Sequence, residues 1–254
     1  MRLTADYHTH TPFSHGKNTV AENVLAAKER GLKEIAIADH GFSHLAFGLR
    51  RKDVARLKAE AYEAQKEYGV KVLVGMEANV LGKIGKTDLT KKDYENFDVF
   101  LCGYHLLVAT HTVPDFFQML VRNGLKIKPD TRIIKRNTGA YVNAIKNNPI
   151  DVLTHLSYRF PCDTLEVAKC AADYGTYLEL NSKKMHLTDE QLNEIVAKTS
   201  VRFVINSDAH SAERVGDMKI VEDQLERLKF PLERIDNIDG KLPAFRFAEY
   251  KARF

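Results

Sequence analysis

Asp6-Tyr7-His8-Thr9-His10-Thr11-Pro12-Phe13-Ser14-His15-Gly16 carries three of the chain's ten histidines, directly after a strand-like run from Leu3 to Tyr7. His8 and His10 are two residues apart, so on extended backbone both side chains project from one face. Two imidazoles on one face at the end of a strand can grip one cation from the same side. A single His-x-His is common by chance, so this reading depends on more ligands arriving at equivalent places further along.

They do arrive. Thr19-x-x-Glu22 is a capping box that opens a helix, closed by Gly31. Glu34 to Ala38 is a short buried-strand pattern running into Asp39-His40. A helix is expected over Lys52 to Tyr68 with Gly69 as terminator, then a β-branched strand from Val70 to Val74 ending at Gly75-Met76-Glu77. Leu81 to Asn96 is read as a loop or small hairpin, and the strand Asp98 to Cys102 ends at Gly103-Tyr104-His105. Helices follow at Asp115 to Arg122 and Thr131 to Lys146. The strand Asp151 to Thr154 delivers His155. A helix capped by Asp163 or Thr164 and closed by Gly175 leads to a strand from Thr176 to Leu180, ending at Asn181. Thr188-x-x-Gln191 is a second capping box, Val201 to Ile205 the last strand, ending in Asn206-Ser207-Asp208-Ala209-His210, and Asp217 to Lys229 a helix stopped by Pro231.

Strands alternating with helices predict parallel βα units. In such folds functional groups collect at the carboxyl ends of the strands. His8, His10, His15, His40, His105, His155 and His210, most of the histidines, sit at these junctions with Glu77 and Asp208. His44, His111 and His186 lack that placement and are read as loop or outer residues. The nine nitrogen and oxygen ligands are too many for one tetrahedral or octahedral ion, and two or three divalent metals would use them.

Composition sets the frame. A chain of 254 residues, 44% hydrophobic and 28% charged, is that of an ordinary globular protein and fits one α/β barrel domain over 1–254. The start lacks a signal-peptide pattern and no apolar run approaches a membrane span. Cys102, Cys162 and Cys170 are read as reduced buried thiols, and a cytoplasmic location is expected. Net charge is +4, which names no partner. The run Arg122 to Arg136, with six basic residues and one acid, is either a solvated face or an attractor of anions. The tail from Lys241 to Phe254 is expected to be a helix packed on the barrel, with a contact for another subunit as the alternative. Oligomeric state is not legible.

The motif series His8-Thr9-His10, His15-Gly16, Asp39-His40, Gly75-x-Glu77, His105, His155 and Ser207-Asp208-Ala209-His210 resembles that of the PHP (polymerase and histidinol phosphatase) superfamily, over Asp6 to about Val215. With no polymerase domain attached, it is most similar to stand-alone phosphatases of histidinol-phosphatase or YcdX type. The resemblance implies a distorted (β/α)7 TIM-like barrel with three divalent metal ions, Zn²⁺, Mn²⁺ or Fe. It places His8, His10, Glu77 and Asp208 on one ion; Glu77, His105 and His155 on a second, with Glu77 bridging; and His15, His40 and His210 on a third. Six positive charges against two carboxylates leave a formal excess of four, which calls for an anionic substrate. The implied reaction is hydrolysis of a small phosphate monoester, histidinol phosphate among the candidates, by a metal-bridging hydroxide.

Arginine suits phosphate oxygens. Arg159, four residues after His155, and Arg214, four after His210, are the candidates; Arg50 and Arg51 are weaker ones, each with a surface salt bridge as the alternative. A phosphodiesterase or 3′–5′ exonuclease is disfavoured by the absence of tryptophan and the dispersed aromatics. An amidohydrolase is disfavoured because Glu77 stands where those sites bridge metals with a carbamylated lysine, and no lysine is expected at a strand end among the ligands. A non-catalytic module keeping metal for structure would be expected to have lost ligands.

Overall fold

A computed structural model of the chain describes residues 1–110, 112–117 and 129–253. Its strands are β1 (Ala5–Thr9), β2 (Glu34–His40), β3 (Lys71–Asn79), β4 (Val99–Gly103), β5 (Val152–Leu153), β6 (Tyr177–Asn181) and β7 (Phe203–Asn206). They form one sheet in sequence order, every neighbouring pair parallel. Helices α1 (Val20–Glu29), α2 (Val54–Tyr68), α3 (Val113–Phe116), α4 (Thr131–Asn147), α5 (Thr164–Tyr174), α6 (Asp189–Lys198) and α7 (Lys219–Leu228) alternate with the strands, and α8 (Arg246–Lys251) ends the described chain.

The sheet curls until β1 meets β7. Ala209 N–H donates to the His8 carbonyl (3.1 Å) and His10 N–H to the Ala209 carbonyl (2.8 Å). Below that, the Asn206 side chain accepts from Tyr7 N–H at 3.0 Å, and Asp6 accepts from the Ser207 hydroxyl at 2.5 Å. This is a nearly closed, distorted (β/α)7 barrel, with side-chain amides and carboxylates completing the seam.

β1 contains an irregularity that matters for the site. Ala5 pairs with Glu34 and Thr9 with Ile37, so four steps along β1 match three along β2. The extra residue is a β-bulge. It lets Ala5 and Tyr7 pack inside the barrel with Ala36, Ala38 and Leu101, while His8 and His10 also face inward.

Strands β2 and β3 run through His40 and Glu77 rather than ending before them, a correction to the boundaries expected at Ala38 and Val74. Gly75 is an interior strand residue, where an added Cβ would lie 2.7 Å from Val99 Cγ1. β5 is shorter than expected: Thr154 N–H still donates to the Cys102 carbonyl of β4 at 2.9 Å, but His155, with φ of 31°, turns out of the strand.

Both capping boxes form as expected, at Thr19–Glu22 and Thr188–Gln191. The Leu81–Asn96 stretch contains a small antiparallel bridge, Val80 to Thr87. α3 covers only Val113–Phe116, and the remainder of the helix expected to Arg122 lies outside the described residues, as do His111 and much of the basic run. Among the described residues no helix is long and apolar enough to cross a membrane.

The tail does pack on the barrel. Phe245 meets Tyr7 edge-on at 4.8 Å and Tyr177 at 6.0 Å, closing the end of the barrel opposite the histidines. Phe247 of α8 is fully buried against Tyr94 and Phe100, and its N–H donates to the buried Asp151 carboxylate at 2.8 Å.

Candidate metal centre

All nine expected ligands converge at the carboxyl end of the barrel, around Glu77. One oxygen of this fully buried carboxylate is 2.7 Å from His155 Nε2 and 3.3 Å from His8 Nε2. The other is 2.8 Å from His40 Nδ1, 3.4 Å from His105 Nε2 and 3.8 Å from His10 Nε2. Asp208 Oδ1 lies 3.4 Å from His10 Nε2 and 3.3 Å from His210 Nδ1. His15 completes the group, stacked on His40 at 4.8 Å and edge-on to His210 at 4.2 Å.

Three overlapping sets have ligand atoms within 4.8 Å of one another: His8, His10 and Glu77; His40, Glu77 and His105; and His10, His40 and His210. They share most members with the division that the resemblance implies, but draw His40 toward Glu77.

The polar bookkeeping suits a cation. Nε2 of His8, both ring nitrogens of His10, Nδ1 of His40 and Oε2 of Glu77 are buried with no aligned hydrogen-bond partner among the described residues. The short His40–Glu77 approach is contact without hydrogen-bond alignment. Leaving such groups unpaired is expensive, and every one of them is a metal-binding atom type.

Charge states agree. Burial, then the neighbouring His40, holds His10 well below its ordinary pKa; burial first lowers His40 to about 3 and His15 to about 4. These rings are neutral near pH 7, as ligation requires. His8 differs: burial alone would lower its pKa, but Glu77, Glu179 and Asp208 together outweigh it and hold the ring well above its ordinary value, so a cation would have to displace the Nε2 proton on binding.

The supports around the centre were not read from the sequence. Glu179 of β6 is buried inside the barrel, its Oε1 2.7 Å from His8 Nδ1 and its Oε2 accepting His155 N–H at 2.8 Å. A carboxylate at that distance requires the His8 proton on Nδ1, which leaves the Nε2 lone pair facing the centre. Asn79 Oδ1 lies 2.7 Å from His105 Nδ1 and fixes that ring in the same way. Asp39 accepts from Thr11 N–H (2.8 Å) and the Ser14 hydroxyl (2.5 Å), fastening the loop between His10 and His15. The only available signal for Glu179 was its alternation with Tyr177 and Asn181 in a strand buried on both faces.

Two site residues stand in left-handed backbone, His155 and Asp208 (φ of 31° and 50°). That conformation is uncommon for a non-glycine residue and costs on the order of 1–3 kcal/mol. Here it turns the side chains inward. Gly103 at the end of β4 leaves room for Thr154 and His155, since a Cβ there would come 2.2 Å from Thr154 Oγ1 and 2.7 Å from His155 Cε1. That hydroxyl donates to Glu77 Oε1 at 2.9 Å.

Above the centre opens a cavity of about 380 Å³ whose outer lining includes His44, Phe47, Tyr158, Lys183, Lys184 and His186. The proposed arginines are not among its lining. Arg159 is exposed and stacks on Tyr158 at 5.6 Å; Arg214 donates to the Ser182 carbonyl and pairs with Asp217 at 2.9 Å. Arg50 and Arg51 pair with Asp53 and Asp93. Among the described residues, the cations that line the cavity are Lys183 and Lys184. Lys183, on the loop after β6, brings Nζ to 3.3 Å from Asp208 Oδ1 and 3.1 Å from His210 Nδ1, against the expectation that no lysine sits among the ligands at a strand end. It is half exposed at the rim, and Glu77 keeps the central position.

Known proteins place this architecture. The chain is 29% identical over 246 residues to a probable phosphatase of Caldanaerobacter subterraneus subsp. tengcongensis, covering 93% of this chain and 88% of that one. It is 29% identical over 262 residues to a probable phosphatase of Acetivibrio thermocellus, covering 100% and 97%. The crystal structure of a histidinol phosphate phosphatase from Lactococcus lactis, complexed with zinc, L-histidinol and phosphate, shares the fold with a TM-score of 0.63 at 15% identity over 98% of both chains. The PHP domain model matches residues 6–183, and with more than half of its length matched, this chain belongs to the PHP domain family.

Proposed function

We propose that the chain is a metal-dependent phosphomonoesterase whose nine-residue centre holds three divalent ions. The observation that carries this reading is the convergence of seven histidines and two carboxylates, from six strand ends, on one buried Glu77 with unpaired ligand atoms around it. His8, His10, Glu77 and Asp208 would hold one ion, Glu77, His105 and His155 a second, and His15, His40 and His210 a third; Zn²⁺, Mn²⁺ and Fe all suit nitrogen-rich donors. Such ions lower the pKa of water toward ~7 and polarise a phosphoryl oxygen.

The chain's own groups do the rest. Glu179 and Asn79 hold the His8 and His105 tautomers, Thr154 orients Glu77, and Lys183 offers a positive charge at the mouth of the centre, where a phosphate oxygen would arrive. The relatives named as probable phosphatases, and the similar fold that carries L-histidinol and phosphate, support a phosphate monoester as the substrate class.

The test is elemental analysis of protein purified without chelators, with phosphate release assayed from an aryl phosphate and from histidinol phosphate. Two to three metals per chain with phosphate release support the proposal, and Glu77→Ala should lose both. Metal without release from either ester would sink the substrate class. A chain that binds no metal even after reloading would sink the centre.

A further inference from the structure

The rim of the cavity has a charge pattern that metal ligation does not require. Outside the candidate ligands, the described residues that line it, His44, Phe47, Tyr158, Lys183, Lys184 and His186, include no carboxylate. The acids that reach the cavity are Glu77 and Asp208, both already in the centre. Among the described residues, a substrate ammonium would therefore meet lysines and find no counter-charge outside the centre itself.

The lysines are held in place. Asn181 Oδ1 accepts the backbone N–H of Lys183 at 3.0 Å and of Lys184 at 3.2 Å, while its amide donates to Glu179 at 2.9 Å. The turn that bears them is thus tied to the barrel interior. Lys183 reaches over the centre. Lys184 sits further out, its charge felt at His186, whose ring lies 4.9 Å from that of Tyr158. Phe47, stacked on His15 at 4.6 Å, forms the facing wall.

Resting on the phosphomonoesterase reading, we infer that the alcohol half of the substrate carries an anionic group of its own, received by Lys184 between the Phe47 and Tyr158 walls, and that amino alcohols are rejected. Opposite charge at the rim selects for the anion, and like charge selects against the cation. Histidinol, an amino alcohol, falls on the rejected side.

The experiment uses metal-loaded protein and aryl phosphates of matched shape: phenyl phosphate, 4-carboxyphenyl phosphate, 1,4-phenylene bisphosphate and 4-(aminomethyl)phenyl phosphate. The expected result is kcat/KM for at least one anionic ester above that of the aminomethyl ester by ~10-fold or more; which anion leads distinguishes carboxylate from phosphate recognition. Lys184→Gln should shrink this ratio and Lys184→Glu should invert it, each with an unchanged circular dichroism spectrum. Binding of the corresponding non-hydrolysable phosphonates, followed by calorimetry, should rank in the same order. A ratio near one, or one favouring the amine, overturns the inference, as does a ratio that neither Lys184 variant moves. Failure to hydrolyse phenyl phosphate or any other ester overturns instead the phosphatase reading beneath it.

Discussion

His8 Nδ1 and Glu179 Oε1 lie 2.7 Å apart in the sealed interior of the barrel, both side chains without solvent exposure. The pairing converts a strand residue with no direct reach to the cavity into the group that sets which His8 nitrogen faces the centre. Replacing Glu179 by Gln keeps the shape but removes the charge that fixes the tautomer. Metal affinity should fall by roughly 10–100-fold, read by competition with a chromophoric chelator. An unchanged affinity would show that His8 does not depend on Glu179.

Gly103 tests how tightly the centre is packed. An added methyl would meet Thr154 Oγ1 at 2.2 Å and His155 Cε1 at 2.7 Å, and overpacking of this kind costs on the order of 1–3 kcal/mol. Gly103→Ala should lower the urea midpoint and displace the Thr154–Glu77 hydrogen bond, reducing bound metal. Full metal content with wild-type stability would contradict the crowding.

The tail should matter to stability as much as a core strand does. Phe247 is completely buried and closes against Tyr94 and Phe100. Phe247→Ala should cost roughly 3–5 kcal/mol, measured by chemical denaturation. A loss below ~1 kcal/mol, far under the usual cost of emptying a buried Phe site, would mean that the tail is only loosely docked.

His186 supplies a pH test on metal-free protein. Burial, then the charge of His155, lowers its pKa to about 4, whereas in the unfolded chain histidine titrates near ~6.5. Between these values the unfolded state takes up a proton that the native ring refuses, so this residue's contribution is full above ~6.5 and lost as pH falls toward 4. His186→Gln removes that penalty. The variant should gain stability relative to the parent on going from pH 7.5 to pH 4.5, followed by urea midpoints; a constant difference across that range would refute the low pKa.

Much of this was legible because it is local. The alternation of short apolar runs with helical segments, the Thr19–Glu22 and Thr188–Gln191 boxes, and the recurrence of histidine at strand ends all depend on near neighbours in the chain. A parallel βα succession then leaves few topologies, and it aims those ends at one rim. The strands run past Val74 and Ala38 because glycine and aspartate punctuate only where nothing pairs with them, whereas Gly75 pairs with Val99 on the adjacent strand β4.

What the sequence alone determined is therefore the barrel and the set of chemically competent ligands, since periodicity and side-chain type are properties of the chain. Tertiary structure decided the rest. The bulge in β1 turned His8 inward beside Tyr7, Glu179 reached His8 from a strand 171 residues away, and Lys183, not Arg159 or Arg214, came to the mouth of the centre. These outcomes depend on distances between residues remote in sequence. Such distances exist only once the sheet has curled and its two edges have met.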